Sequence, residues 1–237
     1  MKTVLLTSSS YRHRYLSHIL QKNTELKLIL SETKGQYYSE QASLSKKVSE
    51  HFEKNTLAEK LIFGNYEFDN NKCFYLDKGS INEKKYIEKA ATVDPEFIIL
   101  FGTGILSKEW LKEFKNKIIN IHLGLSPYYR GSATLFWPFF NNDIKRLGTT
   151  IHETVLEVDA GRIIKNIYPD HETLDLDYYQ LTNLLIKKTI DYLPQLLLKM
   201  KNKEVKFHEQ DLSIGSIYKK KDFCEEKLKI ASRHHKF

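Results

Sequence analysis

Three residues of this sequence have the types and spacing of a small catalytic constellation. Asn120 and His122 lie two apart in the apolar run Ile118-Ile119-Asn120-Ile121-His122-Leu123. Side chains of a strand alternate between faces, so the amide and the imidazole emerge together while Ile119, Ile121 and Leu123 bury on the other side. Asp159 follows 37 residues after His122, in the corner Val158-Asp159-Ala160-Gly161, where packing alone would favour an aliphatic side chain. An amide can donate to a developing negative charge, an imidazole can donate or carry a proton, and a nearby carboxylate favours the imidazolium by raising its pKa. Singly, each has a plainer reading: His122 as a core histidine bonded to Asn120, and Asp159 as a turn residue. Together, N-x-H, then a loop with Pro127 and Arg130-Gly131, then D-x-G 37 residues on make a strong constellation.

The elements that must position these residues follow from hydrophobic patterning. KTVLLT, residues 2–7, reads as a strand, followed by Ser8-Ser9-Ser10 and a helical pattern; LKLILSE, from Leu26, is the next strand. Apolar strands separated by helices predict an α/β fold, a Rossmann-like and mostly parallel sheet flanked by helices, with a short C-terminal appendage. Between 36 and 92 the pattern is weaker: a charged helix around Ala42 to Lys60, a strand at Lys72 to Leu76, and a helix near Asn82 to Ala91. Pro95 opens the strand EFIILFGTG, a helix follows in SKEWLKEFKN, and Lys117 to Leu125 forms the strand of Asn120 and His122. Both residues lie near its carboxyl end, where open α/β sheets place their ligand crevices. LGTTIHETVLE, from Leu147, and GRIIKNIYP, from Gly161, read as a hairpin joined by the tight 158–161 corner. Asp175 to Asn202 is a long amphipathic helix that Pro194 is expected to kink or divide. Residues 1–203 form the catalytic domain in this reading, and 204–237 hold the short strand VKFHE and a polar, basic tail.

Composition narrows the function classes. With 237 residues, 41% of them hydrophobic, the chain can bury one substantial core. An excess of 37 Lys and Arg over 30 Asp and Glu gives a net charge of +7, which favours anionic ligands in a cleft. The densest basic run, Lys219 to Lys221, is too short for a nucleic-acid arm. Cys73 and Cys224 stand far apart, without a disulfide framework or zinc spacing. The opening MKTVLLTSSSYRHRY lacks a signal-peptide core, and no segment reaches the roughly 18 apolar residues of a membrane span, so a cytoplasmic location is expected.

The stretch from Ile118 to Ile164 resembles the heart of the folate-dependent formyltransferases, which include glycinamide ribonucleotide, methionyl-tRNA and sugar-amine formyltransferases; looser resemblance covers roughly the first 200 residues. The resemblance implies Asn120, His122 and Asp159 as the catalytic residues, N10-formyltetrahydrofolate as cosubstrate, and no metal. It implies that the folate lies against Thr103, Gly104, Ile105 and Leu106 and against the corner at Val158 and Gly161, with Tyr128 and Arg130 of the 125–134 loop lining the same crevice. Ser9, Ser10 and Arg12 stand at a helix N-terminus that suits a phosphate or other anion of the acceptor. Ser8-Ser9-Ser10-Tyr11-Arg12-His13 departs from the Gly-rich cradle of purine-pathway members, and HLGLSP departs from their HPSLLP. Transfer-RNA members carry a substantial further domain where about 30 residues follow the last predicted strand here. The expected acceptor is therefore a phosphate-bearing small-molecule amine, a nucleotide-linked dideoxy amino sugar of the kind used in bacterial surface polysaccharide, with no nucleic acid. Glycinamide ribonucleotide, hydroxyornithine, and water in a hydrolase stand as alternatives, and a non-catalytic folate or nucleotide-sugar binding module is the reading of another class. Ile214, Ile217, Tyr218 and Phe223 suit either a homodimer interface or a cap on the monomer.

Overall fold

In the computed structural model, which describes residues 1–33 and 45–237, the apolar runs form a seven-stranded sheet in the order β3-β2-β1-β4-β5-β7-β8. Its strands are β1 (Lys2–Thr7), β2 (Glu25–Glu32), β3 (Cys73–Leu76), β4 (Phe97–Phe101), β5 (Ile118–His122), β7 (Thr149–Glu153) and β8 (Ile163–Ile167). Strands β3 to β5 pair in parallel, whereas β7 and β8 run antiparallel at the other edge. β6 (Tyr129–Gly131) stands outside this sheet and pairs with β9 (Ser216–Tyr218). The helices are α1 (Tyr11–Asn23), α2 (Lys46–Phe63), α3 (Lys84–Val93), α4 (Lys108–Glu113), α5 (Trp137–Phe140), α6 (Tyr178–Lys201) and α7 (Glu225–His234).

The central strands read as nearly continuous apolar runs because both of their faces are covered. Leu5, Ile29, Ile99 and Ile121 bury on one face with Leu16 of α1 and Leu193 of α6. Val4, Leu6, Leu30 and Ile98 bury on the other with Ala90 of α3 and Trp110 of α4. Alternation along β5 thus holds Ile119 and Ile121 in the first core and leaves Asn120 at the cleft.

Several expectations need correction. The helical pattern runs unbroken through Pro194 over 24 residues. One hydrogen bond is lost there, but Ile190, Leu193, Leu196 and Leu197 are all buried, and at roughly 2 kcal/mol per aliphatic side chain that burial outweighs a proline penalty of about 3 kcal/mol. β7 and β8 do pair as a hairpin, but residues 154–162 connect them, a longer excursion than a four-residue corner. VKFHE is not a strand: His208 alone bridges to Ile163. The start of the helix expected from Ala42 falls outside the described residues; from Lys46 the helix is present and extends to Phe63.

The segment 204–237 carries more structure than its sequence pattern suggests. β9 and α7 form within it, and Phe223, Leu228 and Ala231 bury in the same core as α6. Tyr218 stacks on Trp137 at 4.3 Å between ring centroids, whereas Ile214 and Ile217 remain exposed. No helix among the described residues is long and apolar enough to cross a membrane.

Candidate active site

A cleft of about 820 Å³ opens at the carboxyl ends of β1, β4 and β5 and takes in Asn120, His122 and Asp159. The strand pattern delivers the first two; the third arrives on the 154–162 connection with its backbone at φ +51°, a left-handed conformation that Asp tolerates better than most residues. Gly161 permits this path, because a Cβ there would stand 1.8 Å from the Glu153 carbonyl oxygen.

The three side chains converge. His122 Nδ1 lies 3.3 Å from Asp159 Oδ2, and Asn120 Nδ2 donates to Asp159 Oδ1 at 3.2 Å. The main-chain N–H of Gly131 donates to Asp159 Oδ2 at 2.8 Å. Burial raises the Asp159 pKa, but His122, His152 and the Gly131 N–H together lower it to about 2. Burial lowers the His122 pKa; the neighbouring carboxylate and the Tyr129 carbonyl act against it, and His152 and Arg130 act with it. Both His122 nitrogens face protein acceptors, Nε2 donating to the Tyr129 carbonyl oxygen at 2.7 Å.

His152, which the sequence reading did not include, completes the group. It lies opposite Asn120 in the β5–β7 pairing. Its Nδ1 sits 2.7 Å from the Glu153 carbonyl oxygen and therefore carries the proton. In the neutral tautomer protonated at Nδ1, its Nε2 accepts from Asn120 Nδ2 at 3.0 Å; in the protonated ring it faces Asp159 Oδ1 at 3.5 Å. In the neutral tautomer both hydrogens of the Asn120 amide are committed, one to His152 and one to Asp159, leaving Oδ1 without a protein partner among the described residues. Asn120 in this arrangement presents an acceptor, where the sequence reading expected a donor.

Of the expected folate contacts, Thr103, Gly104 and Ile105 line the cleft, and Ile105 is 68% exposed, a free apolar surface for a flat ring. Glu32, another residue the sequence reading missed, accepts the main-chain N–H groups of Gly79 and Gly104, each at 2.8 Å, and so shapes this loop. Leu106 is instead buried in the second core, and Val158 and Gly161 stand beside Asp159 without lining the cleft. Tyr128 and Arg130 also lie outside it. The Arg146 guanidinium sits over the Tyr128 ring at 4.6 Å, and Arg130 is buried with Nη1 3.6 Å from Glu157 Oε1. Pairing of β6 with β9 turns these side chains away, and Gly131 to Phe136 line the wall in their place.

Ser9, Ser10 and Arg12 line the opposite end. Ser10 caps α1 without a side-chain cap bond, and its Oγ is buried without a hydrogen-bond partner among the described residues. No acidic residue occupies the first turn of this helix, so its N-terminus favours an anion. Arg12 pairs with Glu59, which also accepts from Asn55 Nδ2 at 3.1 Å. Among the described residues no group of three or more His, Cys, Asp or Glu is placed to hold a metal ion.

His51 closes this end behind Phe52 and Tyr178, with Nδ1 3.1 Å from the Tyr179 hydroxyl. Burial, with a smaller effect of Lys54, lowers its pKa from 6.5 to about 4. A histidine held neutral by the fold takes up its proton first in the unfolded chain, so stability is full above about pH 6.5 and falls as pH drops towards 4. The loss should reach roughly 3 kcal/mol. Denaturant titrations at neutral and mildly acidic pH measure it. His51→Gln should flatten the slope; an unchanged slope would assign the acid sensitivity elsewhere.

A family model described as formyl transferase matches residues 1–195. The methionyl-tRNA formyltransferase of Clostridium novyi (strain NT) is 32% identical over 171 residues, 70% of this chain and 55% of that protein. The chain spans about half the length of the curated relatives it matches. Among solved structures, a sugar N-formyltransferase from Shewanella sp. superposes with a TM-score of 0.61 at 15% identity, over 94% of this chain and 78% of its own. A formyltransferase from Anoxybacillus kamchatkensis, in complex with UDP-4,6-dideoxy-4-formamido-L-AltNAc and tetrahydrofolate, superposes with a TM-score of 0.54 at 20% identity, over 94% of this chain and 87% of its own. At these identities the likeness is one of fold.

Proposed function

Because the chain belongs to the formyl transferase family, we propose that this cleft moves the formyl group of N10-formyltetrahydrofolate to a primary amine, and that the amine belongs to a nucleotide-linked dideoxy amino sugar. The convergence of Asn120, His122 and Asp159 carries the first part of this reading. The neutral amine attacks the formyl carbon, and the carbonyl π electrons move to oxygen. Asn120 Oδ1 accepts an N–H of the incoming amine and aims its lone pair. His122 meets the developing oxyanion by exchanging its bond to the Tyr129 carbonyl for one to the formyl oxygen, and Asp159 stabilises the imidazolium in that state. Asp159, directly or through water, takes the proton that the attacking nitrogen loses and delivers it to N10, and the oxyanion collapses to the formamide carbonyl as the C–N10 bond breaks and tetrahydrofolate leaves.

The acceptor end supports the second part. The open N-terminus of α1 and Arg12 suit a diphosphate, and the family fold is shared with a structure that holds a nucleotide-linked formamido sugar. A mass-spectrometric screen with N10-formyltetrahydrofolate and a panel of amines tests it: nucleotide-linked 3-amino and 4-amino dideoxy sugars, glycinamide ribonucleotide, hydroxyornithine and methionyl-tRNA. One formyl group should appear on a nucleotide sugar alone; formylation of another amine instead would replace the acceptor. Arg12→Ala should raise the acceptor KM at least tenfold with kcat within threefold, and an unchanged KM would remove Arg12 from the acceptor site.

A further inference from the structure

The segment beyond α6 returns to the site at three points, all past residue 195, where the family match ends. Gln210 Nε2 donates to the main-chain carbonyl oxygens of Asp159 at 3.0 Å and Gly161 at 2.6 Å. These two bonds grip the corner that carries the carboxylate. His208 exchanges both main-chain hydrogen bonds with Ile163, at 2.8 and 2.9 Å, and fixes the point where that corner enters β8.

The third point is β9. The Ser216 N–H donates to the Tyr128 carbonyl at 2.9 Å, and the Ser132 N–H donates to the Tyr218 carbonyl at 2.8 Å. The approach is close enough that a Cβ on Gly131 would stand 2.2 Å from the Tyr218 carbonyl oxygen, and one on Gly215 2.3 Å from that of Pro127. β6 is the strand so held. It supplies the Tyr129 carbonyl that accepts from His122 and the Gly131 N–H that donates to Asp159.

One short stretch therefore ties the loop that orients His122 to the corner that carries Asp159, and the spacing of those two loops sets the contact between the side chains. We propose that residues 208–218 are a positioning strap for the catalytic group, with Gln210 as the positioning residue for Asp159. The proposal rests on the reading of Asn120, His122 and Asp159 as the formyl-transfer site. Gln210 touches no reacting atom; it acts through the Asp159 backbone, whose left-handed conformation needs outside support. Misplacement of a catalytic group by about 1 Å costs on the order of 100-fold in rate.

Gln210→Met keeps the side-chain bulk and removes the donor. Its kcat should fall 10- to 100-fold, with KM for folate and for amine within twofold of the parent protein, and the His122 ring signals in the NMR spectrum should shift. Ser216→Pro, at an exposed position, removes the N–H given to Tyr128 and should displace the same signals through the β6 side. Lys206→Ala, exposed in the same segment, is the control and should change neither. The His122 signals are readable without turnover, so a parent protein inactive towards every amine would overturn the transfer reading and still leave the strap to be decided. Folded Gln210→Met with unchanged kcat and unshifted His122 signals would overturn the strap; if that variant does not fold, unshifted signals in Ser216→Pro would do so.

Discussion

Asp159→Asn is expected to lower kcat on the order of 1000-fold while leaving folate binding near that of the parent protein. The carboxylate is the acceptor on which the group is built: Asn120 Nδ2 and the Gly131 N–H donate to it, and His122 Nδ1 faces it at 3.3 Å. An asparagine has one acceptor where two are used, so its amide nitrogen must confront either Asn120 or Gly131. The charge that stabilises the imidazolium is also lost, and with it the route for the amine proton; comparable removal of an orienting carboxylate is worth about 10⁴ in a serine-protease triad. The substitution carries a stability signature as well. With a folded pKa of about 2 against 3.8, Asp159 contributes stability that is present above about pH 4 and lost as pH falls towards 2, about 2 kcal/mol in all. Acid titrations of parent and variant should differ by that amount across the window. Equal kcat in the two proteins would remove Asp159 from the chemistry.

His122→Ala should cost 100- to 1000-fold in kcat, the usual loss for one donor to an oxyanion. The ring is 5% exposed, and the β5 strand around it is held by Ile119 and Ile121 in the core, so the fold should tolerate the truncation. The freed space lies between the Tyr129 carbonyl and Asp159, both of which water can satisfy. A fall in kcat with KM unchanged identifies an interaction made only in the transition state. A rise in KM with kcat unchanged would make His122 a ground-state contact and contradict the assigned role.

The sequence alone reached Asn120 and His122 through strand alternation, a local rule. Asp159 was reached through its glycine-containing corner and the family resemblance, and the 103–106 loop through that resemblance. The residues it missed are joined to the site by long-range contacts that no local pattern encodes. His152 depends on the register of β5 against β7, Glu59 on the packing of α2 against α1, and Gln210 on the return of the C-terminal segment. The same physics explains the misplaced residues. Tyr128 and Arg130 occupy a loop of suitable composition, but pairing with a three-residue strand 87 residues later in the chain decides which way they face. Leu106 follows cleft-lining residues yet is apolar enough to bury beside Trp110.

The central claim, formyl transfer at Asn120, His122 and Asp159, is tested most directly by one isotope experiment. N10-formyltetrahydrofolate carrying ¹³C in the formyl group is incubated with the acceptor found by the amine screen, and the label is followed by NMR in the parent protein and in Asn120→Ala. In the parent protein the label should pass from folate to a formamide on the amine, with one tetrahydrofolate released for each. In Asn120→Ala the label should stay on folate that is still bound. Transfer at the parent rate in Asn120→Ala would contradict the account, as would label released by the parent protein as formate while the amine is untouched.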